Sequence, residues 1–162
     1  MSRLIEIRSG GQTGIDRAAL DTAIELGLPY GGWVPRGRRA EDGTVPEQYS
    51  SLRETASSEY DERTTQNVRD TDATLVLSWG PARGGTLRTI EAARAIGRPL
   101  LDIDLAALEM DSAATRVIAW LDSISSLRRL NVAGPRASEA PEAYQRARAL
   151  LTRVFSLILD GA

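Results

Sequence analysis

The residues of this chain best suited to chemistry form a glycine-rich run, Ser9-Gly10-Gly11-Gln12-Thr13-Gly14, directly after a short apolar stretch. Glycines at 10, 11 and 14 let backbone amides approach a ligand with no Cβ in the way. Ser9, Gln12 and Thr13 add hydroxyl and amide donors. Such a set, at the start of a helix, would hold an anion, above all a phosphate. The spacing is not Gly-x-Gly-x-x-Gly, so a dinucleotide is not implied. A tight turn closed by a Thr13 helix cap accounts for the same residues about equally well.

Other candidates follow along the chain. Arg83-Gly84-Gly85-Thr86 sets a guanidinium beside two flexible amides, and Gly84, Gly85 and Thr86 would close the site. Arg36, Arg38 and Arg39 fall within four residues, and Arg38 with Arg39 would clamp a phosphate or carboxylate bidentately. Trp33 offers a plane for a flat ring, or a half-buried core side chain. Arg63 and Arg69 share a helical stretch with Asn67 and Asp70, and one of the two arginines should turn toward the ligand. Glu91 could receive a sugar hydroxyl or a base proton. Periodicity alone favours a solvated helix charge there.

Absences narrow the chemistry further. The chain has no Cys and no His, and all 20 of its basic residues are Arg. Disulfides, thiolate or imidazole metal sites, Ser-His-Asp triads, Schiff bases and a P-loop lysine are therefore excluded. No metal bound by protein side chains is expected. An anion must be held by backbone N–H groups, hydroxyls and guanidinium forks. A net charge of −2 argues against general nucleic-acid binding. A hydrophobic share of 42% with 26% charged residues predicts one soluble domain over residues 1–162. Neither a membrane-spanning run nor a signal-peptide core is visible, which predicts a cytoplasmic protein.

The elements that must position these residues alternate: a short apolar run, a glycine-containing turn, then a helix-period stretch. Strands are expected at 4–7, 32–34, 73–78, 99–103 and 130–133. Helices are expected after Gly14 (with Ile15, Ala18, Ala19, Ala23 and Leu26 on one face), over 58–70, and from Leu87 through Arg94. A further helix, capped by Asp111, would bury Val117, Ile118, Leu121 and Ile124. The last, opened by Pro141, would bury Ala143, Ala147, Leu150, Leu151, Val154 and Ile158. Gly27-Leu28-Pro29 and Gly97-Arg98-Pro99 are matching helix stops. Residues 35–58 lose all periodicity and read as a functional loop. The result is an α/β fold: one Rossmann-like, doubly wound parallel sheet flanked by helices, with ligands at the carboxyl ends of its strands.

Four strings carry a resemblance: Ser9 to Asp21, Gly31 to Gly43, Asn67 to Leu75 and Leu130 to Arg136. In that order they resemble the molybdenum carrier family, which is related to the lonely-guy and lysine-decarboxylase-like Rossmann proteins. The resemblance implies a homo-oligomer, dimer or tetramer, that binds molybdenum cofactor or molybdate as cargo. The cofactor holds its metal on a pterin dithiolene, so the lack of Cys and His fits. Its terminal phosphate would suit Ser9 to Gly14, and arginines could face the oxo groups.

The alternative is a lonely-guy-like phosphoribohydrolase that cleaves the N-glycosidic bond of a nucleoside monophosphate. Arg63 and Glu91 would then be the catalytic pair. Arg63 precedes Asp72 at the spacing of that family's arginine. In its motif Gly-Gly-x-Gly-Thr-x-x-Glu, counting from Gly84-Gly85 puts Glu91 at the end. The inner Gly and Thr are replaced by Leu87 and Arg88. That departure weighs against hydrolysis while leaving a nucleotide-like pocket.

Overall fold

Every residue of Ala73–Ser78 (β6) is buried, as a strand covered on both faces must be. Around it, the computed structural model describes residues 6–161. In chain order the remaining elements are β1 (Glu6–Arg8), α1 (Ile15–Leu26), β2 (Tyr30–Val34), β3 (Arg39–Ala40), β4 (Gly43–Thr44), β5 (Leu52–Glu54), α2 (Tyr60–Arg69), α3 (Gly84–Ile96), β7 (Leu100–Asp104), α4 (Met110–Asp122), β8 (Arg129–Ala133) and α5 (Ala143–Asp160). Six strands form one sheet in the order β5-β2-β1-β8-β6-β7, and every pairing in it is parallel. The expected α/β architecture is the observed one.

Register explains the two layers. Ile7 pairs with Leu130 and Tyr30, so these residues share a face. Ile7, Leu130, Val132, Leu75 and Leu77 pack with Ile15, Ala18, Ala19 and Ala23 of α1 and with Leu150, Leu151, Val154 and Phe155 of α5. The four α5 residues are fully buried, and each such side chain stabilises the fold by about 1.5–3 kcal/mol. Helices α2 and α3 pack together over the other face, against β2 and β6. Gly27 and Gly97 end α1 and α3 in left-handed conformation, at φ 71° and 81°, as the matching stops predict.

The chain runs outward from β1 to β2 and β5, crosses to β6 and β7, and returns to place β8 between β1 and β6. Winding direction therefore reverses at β1 and β8, which brings the loops after these strands side by side. Their closeness is direct: the Ile15 N–H donates to the Pro135 carbonyl at 3.3 Å. Crevices at such reversals are where parallel α/β sheets take ligands.

Several expectations need correction. The segment 35–58 is not irregular throughout, because β3 and β4 form a hairpin and β5 extends the main sheet. β2 begins two residues before the expected strand. Glu109, not Asp111, occupies the N-cap of α4, and Asp111 lies in the first turn, ion-paired to Arg153. Helix α5 starts at Ala143, after a turn containing Pro141. Ile118, Ile124, Leu26 and Ile158 are only partly buried at the core margin. Leu4 and Ile5 of the first expected strand lie outside the described residues. Among the described residues, no helix is long and apolar enough to cross a membrane.

Candidate functional site

A cavity of about 380 Å³ opens between α2, α3 and the loops that follow β1 and β8. Its volume suits a small organic ligand. From the sequence candidates it collects Gly10, Gln12, Arg63, Gly84, Gly85 and Thr86. Ser9, Gly11, Thr13, Gly14, Arg38, Arg39 and Glu91 do not line it.

The first glycine run is engaged within the protein rather than open to a ligand. Ser9 Oγ donates to the Asp16 carbonyl at 2.9 Å and accepts the Gly11 N–H at 3.4 Å. The Gln12 N–H donates to Asp16 Oδ2 at 3.1 Å, and the Thr13 N–H to Gln12 Oε1 at 3.1 Å. Gly14 packs so closely on the β8 loop that a Cβ there would lie 2.5 Å from the Pro135 carbonyl oxygen. The expected row of outward amides is therefore absent, and Thr13 does not cap α1 either. The physical reason is that buried amides must be paired, and the nearest acceptors belong to the fold. Glu41, at the β3–β4 turn, completes the closure. Its backbone N–H donates to Gln12 Oε1 at 2.9 Å, and its carboxylate accepts from the Thr13 hydroxyl and, at 3.1 Å, from the Ser138 N–H. Burial works against that charge, but the hydrogen bonds from Ser138 and Thr13 outweigh it and hold the carboxyl below its ordinary value.

Arg38 also turns out to be structural. Its guanidinium donates to the carbonyls of Val45, Pro46 and Tyr49 at 3.2, 2.9 and 3.0 Å, which ties the 45–49 segment to the hairpin. Arg39 donates to the Ser58 carbonyl and stacks over the Tyr60 ring at 4.8 Å, so it reaches the cavity only through that ring. Trp33 donates from Nε1 to Asp70 at 2.7 Å and lies outside the cavity.

Arg63 is the buried cation of the site, 8% exposed. One N–H donates to the Gly10 carbonyl at 2.7 Å, and the Tyr60 ring centre lies 5.2 Å from the guanidinium carbon. Among the described residues its remaining N–H groups have no hydrogen-bond acceptor. Burial lowers its pKa while Asp16 opposes that shift, and an arginine stays charged regardless. Arg69, by contrast, is an exposed surface residue, so one of the helix's two arginines faces the cavity as expected.

Asp16, in the first turn of α1, is 6% exposed and stands 3.9 Å from Arg63 Nη1. Burial pushes its carboxyl up to about 6 against the pull of Arg63 and the Gln12 N–H. Asn131, 2% exposed on β8, donates to Thr74 Oγ1 at 3.3 Å and has no partner for its carbonyl oxygen among the described residues. Asn67 lines the cavity too, but both ends of its amide pair with the Trp33 backbone, at 2.8 and 3.0 Å.

The amino end of α3 forms the opposite wall. Arg83 occupies its N-cap without a side-chain cap, so the N–H groups of Gly84, Gly85 and Thr86 have no partner within the helix. They present partial positive charge to the cavity. Two ion pairs flank the opening: Arg88 with Asp61, and Arg136 with Glu139 at 3.6 Å.

Glu91 is exposed on the outer side of α3. Thr89, 5% exposed, takes the place in the cavity that the motif count gave to Glu91. Reading Gly85-Thr86 as the inner Gly-Thr of the motif puts Thr89 at its final position, and a hydroxyl cannot replace a carboxylate there. Sequence reasoning missed Asp16, Tyr60, Thr89, Asn131 and Glu139 as lining residues, whereas the Ala133–Arg136 loop, glycine-rich and at the carboxyl edge of the sheet, lines the cavity as its position predicts. Of those missed, only Asn131 had a readable signal, a polar residue inside an apolar strand.

The model of the circularly permutated YpsA SLOG family matches residues 7–155. A crystal structure at 1.45 Å of "Putative molybdenum carrier protein" from Syntrophus aciditrophicus SB is 47% identical, covers 95% of this chain and 96% of that one, and superposes with a TM-score of 0.90. No curated protein matches. The resemblance carried by the four sequence strings is thereby borne out. The chain belongs to the circularly permutated YpsA SLOG family.

Proposed function

We propose that the cavity binds a phosphorylated small molecule, with molybdenum cofactor as the leading cargo, and that the protein carries this ligand rather than converting it. The observation that supports the reading best is Arg63, a buried guanidinium with unpartnered N–H groups in the same cavity as the free amides of α3. An anion placed there would receive several charge-assisted hydrogen bonds, each worth about 1.5–3 kcal/mol. Three of them sum to about 4.5–9 kcal/mol, which corresponds to a Kd between sub-millimolar and about micromolar. The phosphate site thus moves from the Ser9–Gly14 run to Arg63 and Gly84–Thr86, with Gly10 and Gln12 as its floor. The cargo's identity leans on the name of the Syntrophus protein. The hydrolase alternative gains no support, because Glu91 lies outside the cavity and Thr89 has no acid to offer.

Native mass spectrometry of freshly purified protein, followed by anaerobic calorimetry with the cofactor, tests the proposal. A co-purifying phosphorylated pterin and micromolar binding are expected. No binding and an unchanged melting curve would sink it. The same spectra would report the homo-oligomer, dimer or tetramer, that we propose as the working form in the cytoplasm.

A further inference from the structure

A cavity built only to hold an anion would have donors alone at its cationic end. This one sets the Asp16 carboxyl 3.9 Å from the guanidinium that would anchor the anion. Both side chains are only 9% exposed, so water screens the pair weakly. An oxoanion that takes the free N–H groups of Arg63 must come close to Asp16, and two neighbouring anions in a dry site cannot both stay ionised. One proton held between them removes the conflict and turns a repulsion into a short, strong hydrogen bond.

We propose that Asp16 makes the site selective for an oxoanion able to carry a proton, a phosphate monoester, over fully ionised oxoanions such as sulfate or bare molybdate. The inference rests on the oxoanion reading of the cavity and narrows it. A phosphate monoester has its second pKa near 6. Sulfate and molybdate give up their protons well below neutrality and have none to share.

The surroundings leave Asp16 as the acid that must respond. From α2 it faces Arg63, and on its own helix Arg17, whose guanidinium is engaged by Asp42 at 2.6 and 2.8 Å. Around the cavity, Asp61 is paired with Arg88 and Glu139 with Arg136, while Glu59 stands exposed at the mouth. Burial already holds the Asp16 carboxyl up to about 6, so a shared proton is within reach near neutral pH.

Calorimetry at pH 6 and pH 8, in two buffers of different ionisation enthalpy, tests this with four probes: inorganic phosphate, glycerol phosphate, sulfate and orthomolybdate. At pH 8 glycerol phosphate, a dianion with no proton left, should bind with uptake of close to one proton, and inorganic phosphate, which still carries one, with essentially none. Both should bind at least about tenfold more tightly than sulfate or molybdate. Asp16→Asn keeps an acceptor for the Gln12 N–H. It should abolish proton uptake and bring all four probes to within about threefold of one another. Equal binding of all four by the unmodified protein, or glycerol phosphate binding at pH 8 without proton uptake, overturns the selectivity while leaving the oxoanion reading intact. Binding of none of them overturns both. Proton uptake is read on the unmodified protein, so the test does not depend on the variant folding.

Discussion

A guanidinium and a carboxyl, both nearly dry, face each other across 3.9 Å in a cavity wall, and the wild-type fold bears the cost of both. Asp16 holds its proton more tightly folded, with a pKa of about 6 against an ordinary value of 3.8. Its contribution to stability is therefore fully present below about pH 4 and is lost as pH rises to about 6, a change on the order of 3 kcal/mol. Glu41 has the opposite sign: its pKa is lowered, so its contribution is lost as pH falls. Urea midpoints of the wild type and Asp16→Asn between pH 4 and 7 should separate the two effects. The wild type should lose stability relative to the variant as pH rises through that window, and parallel curves would refute the assignment. Arg63→Ala should weaken binding of a phosphate monoester by about 100-fold, the loss of one or two charge-assisted hydrogen bonds. An unchanged Kd would remove Arg63 from the site. Neither residue's role was fully legible in the chain. Arg63 was readable as one of two helix arginines, but its burial depends on Gly10, 53 residues away.

Elements rather than single residues decide where the amides point. The Ser9–Gly14 run looked open because its neighbours in sequence are small, yet its amides turn to the Ser9, Asp16 and Gln12 side chains, and Glu41 and the β8 loop close over it from far along the chain. No local pattern discloses that. Helix α3 shows the contrary case, a helix whose first turn has no side-chain cap. A Cβ at Gly85 would meet nothing within 4 Å, so Gly85→Asp has room, and its charge in the first turn should stabilise the helix by about 0.5–1 kcal/mol. The same charge should abolish phosphate binding. A higher melting temperature together with lost binding is the expected pair of readings, and retained binding would move the anion off α3. Gly32→Ala probes the sheet beneath, because a Cβ there would lie 2.0 Å from the Ser9 carbonyl oxygen at a φ of +139°. That contact requires β1 and β2 to separate, at a cost of about 3 kcal/mol or more, seen as a steep fall in the urea midpoint.

At the scale of the whole molecule, the alternation of apolar runs and helix-period stretches was enough to specify the architecture, because a strand buried on both faces leaves a continuous apolar signature. Residues 73–78 are the clearest example, with observed and expected bounds identical. The edge strand β5 left no such trace: it is three residues long, and Arg53 and Glu54 are exposed. The hairpin of two-residue strands was equally hidden. What topology then contributes is convergence. The winding reversal brings the β1 and β8 loops together, and α2 and α3 close over them to enclose the cavity. A crystal structure of the protein grown with a phosphorylated pterin tests this most directly. The account predicts the phosphate between Arg63 and the amides of Gly84, Gly85 and Thr86, with one oxygen facing Asp16. Phosphate density on the amides of residues 11–13, or an empty cavity at saturating ligand, would contradict it.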